Sequence, residues 1–249
     1  MTNRAEPSGI AVGGKTVYGA AVGILMLESR FPRIPGDMGN ALTWPFPVRY
    51  KVVPGATPKR VVTEQANGLL ERFVEAAEEL VTDGVDGITT TCGFLSLFQA
   101  ELAARLRVPV ATSSLMQAPL IERLLPPEKR VGILTISAAS LTPEHLATAG
   151  VAADTVVVGT EGGREFSRAI IDDEMEMNVA LAEADIVETG ADMVARHPEV
   201  GAILLECTNM VPYARALRAR VGLPVYSIYS FVTWFQAGLA PRGFDRQAM

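Results

Sequence analysis

The chain of 249 residues is long enough for one large domain or two small ones with an ordinary hydrophobic core. It carries 22 Lys and Arg against 28 Asp and Glu, and the resulting net charge of −6 argues against binding to a nucleic-acid backbone or an anionic membrane surface. The longest apolar stretch, residues 17–27, is far shorter than the roughly 20 residues that span a bilayer, so we expect a soluble protein.

Short apolar runs rich in β-branched residues alternate with longer amphipathic segments along the chain. This alternation is typical of βα units with a parallel sheet, and it predicts an α/β fold. Strands are expected at residues 19–27, 48–53, 87–91, 108–111, 130–135, 155–158, 201–205 and 225–228. Helices are expected at residues 63–82, 94–106, 114–125, 138–149, 165–196, 211–221 and 231–237. The proline-rich segment 30–58 is expected to be a long loop containing one strand, and such a loop could form a lid or a wall of a site.

An internal repeat relates residues 85–113 to residues 200–228 at a constant offset of 115 without a gap. The alignment contains eight identities in 29 positions, and it superimposes Cys92 and Cys207, the two cysteines of the chain. The other identical positions are Val85 with Val200, Ile88 with Ile203, Leu102 with Leu217, Ala104 with Ala219, Arg105 with Arg220, and Pro109-Val110 with Pro224-Val225. The repeat therefore predicts two related halves built on the same strand, turn, helix and strand.

Both cysteines are predicted to lie where a strand ends and a helix begins, at the carboxyl edge of a sheet. Open α/β folds place their ligands at this edge, so two facing halves would put the thiols on opposite walls of one cleft. A buried cysteine in a core is the usual alternative, but a core role explains neither the matched positions nor the polar residues beside them. The cysteines show no metal-ligand spacing with His145 or His197, so no metal site is predicted.

A thiol at the start of a helix is expected to have a lowered pKa, because the helix dipole and free N–H groups favour the anion. Two thiols around one carboxylate-bearing carbon suit a reaction in which one thiolate removes a proton and the other thiol returns one. Such chemistry requires no redox or electrophilic cofactor, and the chain has no P-loop and no Gly-rich dinucleotide motif. We therefore predict no cofactor.

Three short motifs resemble the aspartate/glutamate racemase superfamily, which includes glutamate, aspartate and hydantoin racemases, maleate isomerase and arylmalonate decarboxylase. They are Thr90-Thr91-Cys92-Gly93, Leu205-Glu206-Cys207-Thr208-Asn209, and residues 23–29 at the end of the first strand. The resemblance implies two Rossmann-like halves related by a pseudo-two-fold axis, each with a parallel sheet, and a cleft between them. It also implies that the two cysteines are the catalytic acid and base, that no cofactor is used, and that the protein forms a homo-oligomer.

Carried over residue by residue, the resemblance assigns catalysis to Cys92 and Cys207. The residues expected to bind substrate are Thr91, Gly93, Phe94, Thr208, Asn209, Glu28, Ser29 and Arg30. Amino-acid racemases usually carry Asn-Thr after the first cysteine, whereas this chain has Gly93-Phe94, and glutamate racemases carry histidine where it has Asn209. In the long loop, Arg30 and Arg33 could clamp a second carboxylate, although arginines on a long loop are more often solvated, and Asp37 is expected first as a turn residue.

The predicted domains are a first half made of residues 1–118 and 224–249 and a second half made of residues 119–223. The predicted function is a cofactor-independent racemase or epimerase of a small carboxylate, an amino acid or a derivative of one. The alternatives are a maleate-type cis–trans isomerase, an arylmalonate-type decarboxylase, and a non-catalytic protein that binds a small acid. With two cysteines and no secretory signal, we expect reduced thiols and a cytoplasmic protein.

Overall fold

The computed structural model describes residues 11–244. Eight strands form within this range, one at each of the eight predicted places, and each is a short run with mostly buried or half-buried side chains. They are β1 (Val22–Leu27), β2 (Val48–Val53), β3 (Gly87–Thr90), β4 (Val110–Ala111), β5 (Arg130–Thr135), β6 (Val156–Gly159), β7 (Val200–Leu205) and β8 (Val225–Tyr226).

The strands form two four-stranded sheets, and every strand pair in them is parallel. The first has the order β2-β1-β3-β4 and the second has the order β6-β5-β7-β8. Each sheet is thus built in the same way, with β3 and β7 at equivalent positions. The α/β fold of two related halves with parallel sheets is confirmed.

The α-helices connect these strands. They are α1 (Pro58–Val62), α2 (Leu70–Asp83), α3 (Gln99–Arg105), α4 (Ala118–Leu124), α5 (Pro143–Thr148), α6 (Phe166–Ile171), α7 (Val179–Arg196), α8 (Ala214–Val221) and α9 (Ile228–Leu239). Short 3-10 helices cover Ala41–Thr43, Gly93–Phe98, Ser114–Gln117 and Thr208–Tyr213. Two of these 3-10 helices follow the cysteines directly, where the sequence predicted the start of an α-helix.

Residues with positive φ values shorten one predicted helix and divide another. The predicted helix 63–82 begins only at Leu70, because Gln65 and Ala66 adopt positive φ values that an α-helix does not accommodate. The predicted helix 165–196 is broken between α6 and α7, where Asp173 has a φ of 56°. The Asn178 side chain then accepts a hydrogen bond from the Leu181 N–H and begins α7 anew.

The end of the chain belongs to the two halves in a different way from the prediction. Strand β8 pairs with β7 in the second sheet, so placing residues 224–227 in the first half is wrong. The chain returns to the first sheet only with α9, whose Ile228, Phe231 and Val232 pack with Val22 and Ile24. Residues 1–10 and 245–249, which the predicted first half includes, lie outside the described residues.

The long loop between β1 and β2 packs onto the body of the protein. The Trp44 indole N–H donates to the Met38 carbonyl at 3.2 Å, and its ring stacks on Tyr229 of α9. Gly36, with a φ of 100°, lies so close to Pro212 of the second half that a Cβ would be 3.1 Å from the Pro212 Cα. The loop therefore closes over the junction of the two halves. Across residues 11–244, no helix is both long and apolar enough to cross a membrane.

Candidate active site

The two thiols lie at equivalent ends of equivalent strands. Cys92 follows β3 and Cys207 follows β7, and each directly precedes a 3-10 helix. Both are free and buried, with 8% and 7% of their surfaces exposed. They line one cavity of about 340 Å³, a volume that includes its opening to solvent.

The surroundings of the cysteines keep them as neutral thiols. Burial, followed by the charge of the nearby Glu206, raises the pKa of both thiols above the ordinary value. Backbone N–H groups of Phe94 and Leu95 at Cys92, and of Asn209 at Cys207, lower the thiol pKa by less. The predicted lowering of the pKa is therefore wrong, because the short 3-10 turns supply too little stabilisation to offset the loss of water.

A chain of buried polar contacts runs from Cys207 into the long loop. The Cys207 thiol donates to Asn209 Oδ1 at 3.5 Å, and Asn209 Nδ2 donates to Asp37 Oδ2 at 2.6 Å. Asp37 Oδ1 accepts from Arg33 at 2.8 Å, and the other terminal nitrogen of Arg33 donates to Ser29 Oγ at 2.9 Å. Arg33 and Asp37 thus hold Asn209 against the thiol. Arg33 is not the solvated arginine expected first, whereas Asp37 is also the expected turn residue, since its Oδ1 accepts from the Gly39 N–H at 2.7 Å.

Glu206 lies in the wall of the same cavity, with its carboxylate against the Gly93 turn. Its side chain is fully buried, Oε2 accepts a hydrogen bond from Thr135 Oγ1 at 2.7 Å, and Oε1 has no hydrogen-bond partner among the described residues. Burial raises the pKa of Glu206 to about 7, and the hydrogen bond from Thr135 opposes this rise. The carboxyl group can therefore change its charge near neutral pH.

The two cysteine turns are tied together, and the remaining wall is mostly apolar. Thr208 Oγ1 donates to the Thr91 carbonyl at 2.7 Å, which joins the turn after β7 to the turn after β3. The apolar lining residues are Leu27, Phe31, Pro58, Val62, Phe94, Ile136 and Ile170. Arg33 is the one basic side chain among the described lining residues, and its guanidinium lies 4.5 Å from the centre of the Phe31 ring.

The structure brings five of the eight predicted binding residues to the cavity, namely Thr91, Gly93, Phe94, Thr208 and Asn209. Glu28, Ser29 and Arg30 do not line it. Glu28 instead accepts a hydrogen bond from the Gly55 N–H at 2.7 Å. Ser29 reaches the site only through Arg33.

The Arg30 side chain is 71% exposed and pairs with Asp173 at 3.4 Å. Its role in binding substrate therefore has no support from the lining of the cavity and stays a prediction.

Sequence reasoning missed Glu206 as a site residue, although the signal was present. A charged residue at the end of the apolar run Val200–Leu205, directly before Cys207, must lie at the buried edge of the sheet. Among the described residues, no group of three or more His, Cys, Asp or Glu is placed to hold a metal ion.

Comparisons with known proteins give the family. A search with protein-family models finds no match. The chain is 30% identical over 227 residues to a dimethylsulfoniopropionate lyase of Durusdinium sp. clade D, covering 88% of this chain and 75% of that one. It is 31% identical over 217 residues to dimethylsulfoniopropionate lyase 6 of Emiliania huxleyi (strain CCMP1516), covering 83% of this chain and 56% of that one. The chain thus spans little more than half of the Emiliania relative.

Solved structures share the fold at low sequence identity. Arylmalonate decarboxylase matches with a TM-score of 0.59 and 16% identity, over 90% of this chain and 94% of that one. Aspartate racemase of Picrophilus torridus matches with a TM-score of 0.54 and 14% identity, over 92% of this chain and 97% of that one. These proteins are enzymes of the superfamily that the cysteine motifs resemble. The chain therefore belongs to the dimethylsulfoniopropionate lyase family, and it has the fold of arylmalonate decarboxylase and aspartate racemase.

Proposed function

We propose that this protein is a lyase that cleaves a small carboxylate carrying an onium leaving group on its β-carbon, with dimethylsulfoniopropionate as the substrate to test. The observation that carries the proposal is one small, largely apolar cavity with both thiols on its wall, in a chain 30% identical to a dimethylsulfoniopropionate lyase. A thiol on this wall, once ionised, supplies a base for a carbon acid.

The reaction is an elimination. A cysteine thiolate takes a proton from the carbon next to the carboxylate, and the electron pair of that C–H bond becomes the new carbon–carbon double bond. The bond between the β-carbon and sulfur breaks, and its electron pair leaves with the sulfur as neutral dimethyl sulfide. Acrylate remains, and the proton on the thiol then passes to solvent. One base suffices, because the departing sulfide needs no proton.

Arg33 is the residue proposed to hold the substrate carboxylate. It is the basic residue on the described wall of the cavity, and Asp37 and Ser29 fix its guanidinium in one orientation. A carboxylate bound there faces the cysteine turns across an apolar cavity. Binding of the carboxylate to a cation also acidifies the adjacent C–H bond, because it stabilises the charge that forms when the proton leaves.

An amino-acid racemase is the second candidate, and one observation favours it. The two thiols come from opposite halves and line one cavity, as a reaction that removes a proton from one face of a carbon and returns it to the other requires. Proton removal beside a carboxylate is common to both reactions. The step after proton removal distinguishes them, because the lyase loses a leaving group and the racemase reprotonates the carbon.

The experiment uses the purified protein and a double variant, Cys92→Ser/Cys207→Ser, as the control for contaminating activity. With dimethylsulfoniopropionate, we expect dimethyl sulfide in the headspace and an equal amount of acrylate by NMR, and neither from the double variant. In deuterated water, aspartate, glutamate and allantoin are expected to keep their α-protons. Exchange at one of these without dimethyl sulfide release would favour the racemase and contradict the lyase.

The other predicted alternatives belong in the same substrate panel. Maleate tests a cis–trans isomerase and phenylmalonate tests a decarboxylase, and turnover of either in place of dimethylsulfoniopropionate would replace the proposal. We further propose that the reaction needs no cofactor, so activity is expected to survive dialysis against a chelator. A cytoplasmic homo-oligomer stays a prediction that sizing and localisation experiments test.

A further inference from the structure

Glu206 is a buried acidic group that the elimination step does not use. None of its surface is exposed, yet it lines the cavity beside both cysteines. Thr135 satisfies one carboxylate oxygen, and the other oxygen has no partner among the described residues. A buried polar atom without a partner is costly, so such an atom in a residue that lines a cavity points to a ligand whose charge compensates it.

The first cysteine turn leaves room for this carboxylate. A Cβ on Gly93 would overlap Glu206 Oε1 and would lie 2.6 Å from the Glu206 backbone oxygen. Position 93 is where the amino-acid racemases usually carry an asparagine, whose side chain needs the same space. Gly93 and Glu206 therefore form a matched pair, in which the missing side chain on one turn accommodates the carboxylate from the other.

When Glu206 ionises, no cation among the described residues balances its charge. The thiols of Cys92 and Cys207 are its titratable neighbours in the cavity, and ionisation of either would repel it. The half-buried Arg33 pairs with Asp37 at 2.8 Å, and the ion pairs of the described residues include none between Arg33 and Glu206. The described residues thus leave Glu206 without a counter-ion.

We infer that Glu206 is the counter-ion of the substrate's onium group, and that it selects onium carboxylates over carboxylates of the same shape that lack the onium charge. This inference deepens the proposed function and rests on its substrate class. The aromatic rings of Phe31 and Phe94 on the same wall suit an onium group as well, since its methyl groups spread positive charge over an apolar surface. Arg33 and Glu206 would then match the negative and positive ends of a zwitterion.

The arrangement links substrate entry to formation of the base. The charge of Glu206 raises the pKa of both thiols, so an onium group that neutralises this charge makes a thiol easier to ionise. A neutral carboxylate would leave the thiols as they are. Selectivity for the cation is therefore expected in binding and again in proton removal.

The test compares two ligands that differ in charge at one atom. They are 3-(trimethylammonio)propionate and 4,4-dimethylpentanoate, which has carbon in place of nitrogen, and binding of each is measured by calorimetry. We expect the protein to bind the onium ligand roughly tenfold to a hundredfold more tightly. Glu206→Gln is expected to remove this preference, whereas Glu75→Gln, on an exposed face of α2, is expected to keep it.

The pH dependence of the unaltered protein provides a second arm that needs no variant. As pH rises from 5.5 to 8, Glu206 ionises, so affinity for the onium ligand is expected to rise. The ligand without the onium charge is expected to gain nothing, and titration of the carboxylate that the two ligands share cancels in the ratio of their affinities. If Glu206→Gln fails to fold, this ratio still decides.

The outcomes separate the inference from the proposed function. Equal affinities for the two ligands at every pH, or a preference that survives in a folded Glu206→Gln protein, would overturn the role of Glu206. Release of dimethyl sulfide together with equal affinities would overturn this role alone and leave the lyase. A clear preference for the onium ligand without dimethyl sulfide release would overturn the lyase reaction and leave an onium-carboxylate site.

Discussion

The two cysteine turns occupy the same place in two sheets of the same strand order, yet they differ in nearly everything beside the thiol. The turn after β3 offers Cys92 the backbone N–H groups of Phe94 and Leu95, and Gly93 lacks a side chain where the Glu206 carboxylate lies. The turn after β7 surrounds Cys207 with a carboxylate, a hydroxyl and an amide, from Glu206, Thr208 and Asn209. The two halves thus place the thiols at equivalent positions but surround them with different polar groups. An asymmetric site of this kind suits a one-way elimination better than a racemisation, whose two directions place similar demands on both sides.

The largest expected effect separates the two thiols. In an elimination one thiol is the base, so one of the variants Cys92→Ser and Cys207→Ser should lose roughly 10²- to 10⁴-fold in dimethyl sulfide release, and the other much less. Serine is too weak an acid to replace the thiolate near neutral pH. Initial rates from headspace chromatography measure this difference, and circular dichroism controls for folding. Equal losses of activity in both variants would contradict the asymmetry. If the natural protein also racemises an amino acid, equal losses would favour two-base catalysis.

The next effect tests the close approach of Glu206 to the first turn, which the absence of a side chain at Gly93 permits. Position 93 corresponds to position 208 in the repeat, and only position 208 carries a side chain. Gly93→Ala should lower the free energy of unfolding by about 1–3 kcal/mol, because the new Cβ overlaps Glu206. It should also abolish activity by displacing the carboxylate.

The matched control for this variant is Gly162→Ala. It adds the same methyl group where nothing lies within 4 Å, and it should change neither the stability nor the activity. Urea denaturation measures both variants. A fully stable Gly93→Ala protein would show that the space in the first turn is unimportant.

A third effect concerns the charge that only the second turn carries, since Thr91 occupies the position equivalent to Glu206. The folded protein raises the pKa of Glu206 to about 7, so between pH 4.5 and 7 the folded state binds more protons than the unfolded state. The free energy of unfolding should therefore fall as pH rises through this window, by on the order of 1–3 kcal/mol from this group.

The measurement is urea denaturation at pH 5 and pH 8 for the natural protein and for Glu206→Gln. The difference between the two proteins isolates the carboxylate from the other titrating groups. The free energy of unfolding of the variant should depend less on pH than that of the natural protein. The variant should be most stabilised relative to the natural protein at pH 8. An unchanged difference between the two pH values would show that Glu206 is already compensated in the fold.

The sequence predicted those parts of this comparison that depend on local pattern. Strand positions follow from short apolar runs, and the repeat placed Cys92 and Cys207 at equivalent strand ends. The sequence could not predict the 3-10 turns. Nor could it predict the loss of water that raises the pKa of both thiols, because burial depends on how the two halves pack together. Contacts far apart in the chain, such as Asn209 with Asp37 across 172 residues, were hidden for the same reason.

The smallest expected effect lies in the loop after β1, where two arginines three residues apart have opposite surroundings. Arg30 was predicted to bind substrate, but its side chain is 71% exposed and makes one ion pair, with Asp173. The backbone N–H groups of Arg30 and Phe31 also donate to Asp173, at 2.6 and 3.1 Å, and these bonds survive removal of the side chain. Because exposed ion pairs contribute little, Arg30→Ala should change the free energy of unfolding by less than about 1 kcal/mol and leave the KM for dimethylsulfoniopropionate unchanged.

Arg33→Ala is the matched contrast, since it leaves the buried Asp37 without its cation and should raise this KM strongly. Steady-state kinetics and urea denaturation of the two variants measure both effects. A KM raised equally by both would place Arg30 in contact with substrate and would mean that the loop closes further over the cavity than its contacts here indicate.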